Sequence, residues 1–254
     1  MFINNFDPVA FNFLSLEIKW YSIAYILGIV LGWIYCKKKL IKDKKILNLF
    51  DDLIAYIIFG IIIGGRIGYV LFYNFKYYLE NVSEIFMIWN GGMSFHGGLI
   101  GMIISIYFFS LKYKIPFLYL SDLVSVVAPI GLFLGRISNF INTELYGRIT
   151  DFPIAIIYPL IDNNPRHPSQ LYEAFFEGII LFIILLFYFS KKSKKYIIGN
   201  ISGLFFIFYS IFRFLIEYLR EPDYHIGLVF YYFSMGQLLC IPFFLAGIWI
   251  LVRK

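Results

Sequence analysis

The chain has 254 residues, of which 60% are hydrophobic and only 15% charged, against about 45–50% and about 25% in a soluble domain. That balance excludes a water-soluble globular protein and predicts a polytopic membrane protein. The formal net charge of +6 is spread over short loops and forms no basic face, so no nucleic-acid partner is expected.

Met1 to Leu14 lacks a basic run and carries Asp7. It does not resemble a cleavable signal peptide, so the first membrane helix is expected to serve as the targeting signal. Cys36 and Cys240 lie far apart in apolar sequence. No disulfide framework or metal spacing follows from them, and both read as small buried hydrophobes.

At about 20 apolar residues per crossing, the fold class is all-α with about seven transmembrane helices. Their expected spans are 18–36, 50–73, 94–111, 117–136, 170–190, 197–218 and 228–252. The loops with Lys37, Lys38, Lys39, Lys42, Lys44 and Lys45, with Lys112 and Lys114, and with Lys191, Lys192, Lys194 and Lys195 then fall on one side. So does the tail Arg253-Lys254. The positive-inside bias makes that side cytoplasmic and puts the N-terminus outside. Lys19, Arg66, Lys76, Arg136, Arg148, Arg166, Arg213 and Arg220 come to the outer side, against the bias, and need another reason to be there.

Along the chain, Trp20 and Tyr21 open helix one at the outer boundary. Trp20 reads as an aromatic anchor; Tyr21 reads equally as anchor or site residue. Helix two carries Gly60, Gly64 and Gly68, a ladder that lets a neighbouring helix approach closely. Gly131 and Gly135 repeat the spacing on helix four. Arg66 sits inside the first ladder and is expected to have a carboxylate or phosphate partner. The glycine-rich run Gly91-Gly92-Met93-Ser94-Phe95-His96-Gly97-Gly98 predicts a bend at the membrane edge. His96 on this bend reads either as a hydrogen-bonded structural residue or as a functional one.

Helix four begins near Pro116, with Asp122 expected to favour its N-terminus through the dipole. It leads to Gly135-Arg136-Ile137-Ser138-Asn139-Phe140-Ile141-Asn142-Thr143-Glu144-Leu145-Tyr146-Gly147. An arginine, amides and a carboxylate at membrane depth are costly and are retained where they bind or react. The segment 147–168, with Pro153, Pro159 and Pro165, predicts an irregular outer loop or lid. Ser169 is the expected N-cap of helix five, with Glu173 in its first turn. Helix six presents Tyr209, Arg213, Glu217 and Arg220 on one face, with Arg213 and Glu217 placed to pair. The turn Glu221-Pro222-Asp223 follows.

Tyr21, Arg66, His96, Arg136, Asn139, Glu144, Arg213, Glu217 and Arg220 thus converge near the outer surface. Guanidinium groups with amide donors suit a phosphate at lipid headgroup level, and nearby titratable groups can move protons. No metal-ligand set or nucleotide loop is visible, so no metal and no cofactor is expected. An enzyme acting on a phospholipid fits this pattern. A transporter for an anion or anionic lipid should also carry polar residues near the midplane, where this chain is apolar. A structural scaffold leaves the outer arginines unexplained.

The stretch 135–147 resembles the signature of the prolipoprotein diacylglyceryl transferase family. Further matches run in the family's order: Trp20-Tyr21, Gly64-Gly65-Arg66-Ile67-Gly68-Tyr69, the run from Gly91 to Gly98, Arg166-His167-Pro168-Ser169-Gln170-Leu171-Tyr172-Glu173, and Phe212-Arg213 leading to Glu217, Arg220 and Pro222-Asp223. Ser138 and Asn90 depart from the family's commoner residues, and the loop after Gly147 is short. The resemblance implies a single transmembrane catalytic domain over 1–254 with an outer, periplasmic-side loop at 147–168, in the bacterial inner membrane. The substrates it implies are phosphatidylglycerol and prolipoprotein signal peptides with a lipobox cysteine. Arg136 and Arg213 would be headgroup ligands and catalytic groups, and His96 the candidate base. Tyr21, Asn139, Glu144, Gly147, Tyr209 and Glu217 match residues tied to activity or substrate binding.

Overall fold

The computed structural model describes residues 2–13, 16–190, 197–222, 228–229 and 232–253. Lys191, Lys192, Lys194, Lys195, Asp223 and Lys254 lie outside the described residues. In chain order the elements begin with β1 (Phe2–Ile3), β2 (Val9–Phe13), β3 (Leu16–Lys19) and α1 (Trp20–Tyr35), which runs on through a π-helical turn, Cys36–Leu40. Then come α2 (Lys44–Phe72), α3 (Phe75–Glu80), α4 (Phe95–Tyr113) and α5 (Phe117–Ile141). They are followed by β4 (Ile156–Ile157), β5 (Pro165–Arg166), α6 (Ser169–Glu173), the π-helical segment Ala174–Ile180 and α7 (Leu181–Ser190). The chain closes with α8 (Asn200–Ile216), β6 (Leu228–Val229), β7 (Phe233–Ser234) and α9 (Met235–Val252).

Among the described residues, six helices are long and apolar enough to cross a membrane: Trp20–Leu40, Lys44–Phe72, Phe95–Tyr113, Phe117–Ile141, Ser169–Ser190 and Met235–Val252. Large apolar side chains such as Ile26, Phe59, Phe108 and Trp249 are exposed on them, as befits helices whose solvent is lipid. The protein is a mostly helical, multi-pass membrane protein. The helix expected at 197–218 is α8, apolar but only 17 residues long. At 1.5 Å per residue it covers about 25 Å, somewhat less than a hydrocarbon core of about 30 Å.

The chain divides into two compact units, Met1–Cys36 with Asp122–Lys254, and Lys37–Ser121. In the first unit α1 lies against α5. A Cβ on Gly28 would stand 3.0 Å from the Cα of Gly131, so the backbones approach closely there. The Cys36 thiol reaches the Leu123 carbonyl at 3.6 Å. At the other end the Ser138 hydroxyl donates to the Trp20 carbonyl at 3.3 Å. The two helices therefore run antiparallel.

Asp122 serves a helix other than its own. Helix α8 starts after Gly199 and has no side-chain cap. The buried Asp122 carboxylate supplies one, accepting from Gly199 N and Ser202 N, each at 2.8 Å, and from Ser202 Oγ at 2.7 Å. The expected dipole role at the start of Asp122's own helix is thereby corrected, because the orphan N–H groups of α8 take both carboxylate oxygens.

The segment expected as an irregular loop or lid is instead folded. β1 pairs in parallel with β4, and β4 antiparallel with β5. Asn4 Nδ2 donates to the Phe140 carbonyl at 2.7 Å, and Tyr158 is fully buried, packing with Phe140, Ile156, Tyr146 and Leu171. An apolar anchor of this size holds two-residue strands that would not persist alone.

In the second unit the glycine ladder of α2 meets α4. A Cβ on Gly64 would stand 2.8 Å from Gly101 Cα, and one on Gly68 2.8 Å from Gly97 Cα. The close helix contact expected from the ladder is present, and its partner is the glycine-rich start of α4. Ser94 caps α4 by accepting from Gly97 N at 3.2 Å.

Candidate active site

The expected end of helix four at residue 136 is corrected. Helix α5 continues to Ile141, so Arg136 and Asn139 are helical residues on its last turns. A charge there is tolerable because partners reach it from elsewhere in the chain. Arg136 Nε lies 2.9 Å from Glu173 Oε2, and Nη2 lies 3.2 Å from Glu177 Oε2. Glu173 also pairs with Arg213 Nη1. Arg213 Nη2 lies 2.8 Å from Glu217 Oε2, and Glu217 Oε1 lies 3.5 Å from Arg220 Nη1. The Arg213–Glu217 pair expected from spacing is present.

The result is a chain of three guanidinium groups alternating with carboxylates. It is drawn from the end of α5, the start of the α6–π–α7 helix and the end of α8. Glu173 and Glu177 are fully buried, and no side chain in the cluster is more than 15% exposed. Buried charges survive only when paired, and this pairing is what lets α5 and α8 carry arginines at this depth.

Glu173 was expected to act only on its own helix dipole; its role here is to bridge Arg136 and Arg213. Glu177 was not singled out by sequence reasoning at all. Its one signal was a carboxylate four residues after Glu173 inside an apolar run, a spacing that keeps both on one helix face. The backbone is π-helical over Ala174–Ile180, a form that recurs at functional sites. Ser169 does not cap this helix as expected. It is the first helical residue, and its hydroxyl donates to the Leu145 carbonyl at 2.8 Å.

Three of the six carboxylate oxygens, Glu173 Oε2, Glu177 Oε1 and Glu217 Oε2, are buried without an aligned donor among the described residues. Arg136 Nε, close as it is to Glu173, is likewise unaligned. Buried polar atoms are usually satisfied. Here they concentrate in one cluster, held by ion pairs rather than by aligned hydrogen bonds.

The signature residues after α5 form a tight turn. Thr143 and Leu145 both have left-handed backbone, with φ of 58° and 56°, a conformation uncommon outside glycine. Neighbours hold it. Glu144 N donates to Asn139 O at 2.9 Å, Gln170 Nε2 donates to Glu144 O at 2.7 Å, and Asn139 Nδ2 donates to Glu144 Oε2 at 3.2 Å. Asn139 is buried while Glu144 is exposed. Gly147 bridges to Arg220. A Cβ at Gly147 would run into His167 O and lie 2.8 Å from Leu219 O, so only glycine lets these three segments meet.

Beside it, Arg166 donates to Gly147 O at 3.1 Å and pairs with Asp162 at 2.6 Å. The Arg166 guanidinium holds the Asp162 carboxyl down at about 2. Burial lowers the pKa of His167, whose Nδ1 lies 3.1 Å from Tyr172 Oη. Tyr21 stands at the start of α1, half-buried, its hydroxyl accepting from Tyr25 Oη at 3.2 Å. Tyr209 is half-buried one turn before Arg213 and stacks on Phe205 with ring centroids 5.8 Å apart.

Arg66 and His96 belong to the second unit. Arg66 is buried, and its partners are backbone carbonyls rather than the expected carboxylate or phosphate. Its guanidinium donates to Glu84 O at 2.5 Å, Ile85 O at 2.9 Å, Met87 O at 3.2 Å, Gly91 O at 2.5 Å and Gly92 O at 3.2 Å. The 3-10 turns Val82–Phe86 and Ile88–Asn90 aim several carbonyls at one point, and a five-donor fork fits them. Arg66 thereby fixes the loop that leads into Ser94 and His96. His96 itself is exposed in the first turn of α4, edge-on to Phe95.

Fold and cluster together define an integral membrane protein with a buried, charge-balanced site at one end of the helices of its first unit. A family model described as prolipoprotein diacylglyceryl transferase matches residues 8–253. The chain is 51% identical to the phosphatidylglycerol–prolipoprotein diacylglyceryl transferase of Rickettsia typhi, over 100% of this chain and 98% of that protein. It is 49% identical to the enzymes of the same name from Rickettsia felis, over 98% of this chain and 97% of that one, and Rickettsia bellii, over 98% and 95%. The chain belongs to the prolipoprotein diacylglyceryl transferase family, and it is a transferase.

Proposed function

We propose that this protein transfers the diacylglyceryl group of phosphatidylglycerol to the lipobox cysteine of prolipoproteins, the first step of bacterial lipoprotein maturation. The thiol sulfur bonds to the glycerol carbon that carries the phosphate. The carbon–oxygen bond breaks, and glycerol phosphate leaves with the bonding pair. The thiol proton must be removed, since thiolate is the nucleophile, and His96 is the group we assign to this. Arg136 and Arg213 bind the headgroup phosphate and stabilise the charge that develops on it. Tyr21, Asn139, Glu144, Gly147, Tyr209, Glu217 and Arg220 shape or line the substrate site, while Arg66 acts through the loop before His96.

The observation that carries this reading is the meeting of Arg136 and Arg213, 77 residues apart in sequence, on the one carboxylate of Glu173. Two planar forks held this way present donors to one phosphate without a metal. We read the chain as one catalytic domain of the bacterial inner membrane, with the N-terminus and residues 147–168 outside and the C-terminus cytoplasmic. α8 is then the sixth of seven crossings. In support, α8 runs alongside α5 in the same direction, from the Asp122 cap at one end to the Glu173 bridge at the other.

The direct test is a transfer assay with phosphatidylglycerol in vesicles and a lipobox peptide. A thioether product with release of glycerol phosphate is expected. Absence of transfer by folded protein, or equal transfer to a peptide with serine in place of cysteine, would refute the assignment. Cysteine introduced at the exposed Asn163 in a cysteine-free variant should be labelled from the periplasmic side.

A further inference from the structure

Gly236 is the second residue of α9, and its backbone does not call for glycine. The positive-φ glycines among the described residues are Gly91, Gly92 and Gly199. Within a helix, glycine is also a weaker choice than alanine. What the position lacks is room. A Cβ there would stand 2.8 Å from Cδ and Oε1 of Glu217 and 2.9 Å from Oε2. The whole carboxylate rests against the first turn of α9, where the helix dipole favours negative charge.

Neither side of this contact gives way freely. The Glu217 carboxylate lies 2.8 Å from Arg213 Nη2 and 3.5 Å from Arg220 Nη1. The start of α9 is pinned by its capping box, in which Ser234 N donates to Gln237 Oε1 at 3.0 Å and Gln237 N to Ser234 Oγ at 3.2 Å. Gln237 Nε2 also reaches the Phe214 carbonyl of α8 at 3.5 Å. A methyl group at 236 would drive the carboxylate back by roughly half an ångström to reach ordinary contact, and Arg213 would follow it.

We propose, resting on the reading of Arg213 as a headgroup ligand, that Gly236 is a positioning residue of the transfer site. By having no side chain it lets Glu217 lie against α9 and so sets where the Arg213 guanidinium stands. A misplacement on the order of 1 Å in such a site costs up to about 100-fold in rate.

The experiment compares Gly236→Ala, Glu217→Asp, the double variant and Gly131→Ala, with kcat and KM for phosphatidylglycerol and the thermal midpoint of each. The Cβ of alanine at 131 meets nothing within 4 Å, so that variant should match the parent. Gly236→Ala should lose about 10-fold or more in kcat/KM at an unchanged midpoint. In the double variant the shorter aspartate makes room for the methyl, so activity should be no lower than in Glu217→Asp alone. Such non-additivity is the signature of direct contact, and a purely structural glycine would not produce it. Parent-like activity of Gly236→Ala, or losses that multiply in the double variant, would overturn the proposal. If Gly236→Ala does not accumulate folded, the double variant is compared with Glu217→Asp alone. Parity supports the proposal, and a folded double variant clearly less active than Glu217→Asp refutes it. A parent enzyme without transfer activity would instead count against the function itself.

Discussion

Arg136 and Glu173 stand 2.9 Å apart, Nε to Oε2, although they belong to different helices, and the same carboxylate also meets Arg213. Glu173 is therefore the member whose loss takes a counter-charge from two buried cations at once. Breaking a buried ion pair from one side costs about 3–5 kcal/mol. Glu173→Gln should lower the thermal midpoint of the purified protein clearly and reduce transfer severely. An unchanged midpoint in a melting experiment in detergent or nanodiscs would mean that Glu173 is not the counter-charge.

Arg136 engages two carboxylates through two different nitrogens, Nε and Nη2. A lysine places one ammonium where a planar fork had stood, so the exchange is not conservative. Arg136→Ala and Arg213→Ala should each abolish most transfer, and Arg136→Lys should remain clearly impaired. Glu217→Gln should cost less than either arginine, because Arg213 keeps Glu173. Steady-state kinetics at equal folded protein decide this. Full activity of Arg136→Lys would reduce the role of that residue to local positive charge.

His96 is exposed in the first turn of α4 behind a loop that Arg66 holds by its carbonyls. A base acts in the transition state, so His96→Gln should lower kcat by about 10²–10⁴-fold with little change in KM for phosphatidylglycerol. Full turnover at neutral pH would hand the proton to another group.

Outside the membrane-spanning helices, Asp162 carries the clearest pH signal. Its pKa is held at about 2, below the ordinary value, first by the hydrogen bond from Arg166. A carboxylate with a depressed folded pKa stabilises the fold above its unfolded pKa, and that contribution is lost as pH falls through the folded value. Asp162→Asn should therefore melt below the parent at pH 7, and the difference should close as pH approaches 2. A difference independent of pH would show that packing, not charge, ties Asp162 to Arg166.

Much of this was legible in the sequence. Apolar runs marked the helices, and the i,i+4 spacing of Arg213 and Glu217 announced their pairing. The glycine ladder of α2 announced a close neighbour. What stayed hidden was long-range pairing. Arg136 looks like the end of α5 because its counter-charges, Glu173 and Glu177, sit about 40 residues on and carry no mark of their destination. The partners of Arg66 are backbone carbonyls, which no pattern of side chains encodes. β4 and β5 are two residues each, too short for a period-two alternation to appear, and they exist because Tyr158 anchors them.

The alternation of charges along the chain bears on how this protein enters the bilayer. α5 emerges from the ribosome carrying one guanidinium near its far end, and an unpaired arginine in a lone membrane helix is costly. The next helix brings Glu173 and Glu177, and the one after it brings Arg213 with Glu217 just beyond. Each arriving segment thus supplies the counter-ion that its predecessor lacks. The insertion machinery is handed helices that are best released into lipid as a group, and a variant that neutralises Glu173 and Glu177 together should be degraded by protease quality control and fail to accumulate.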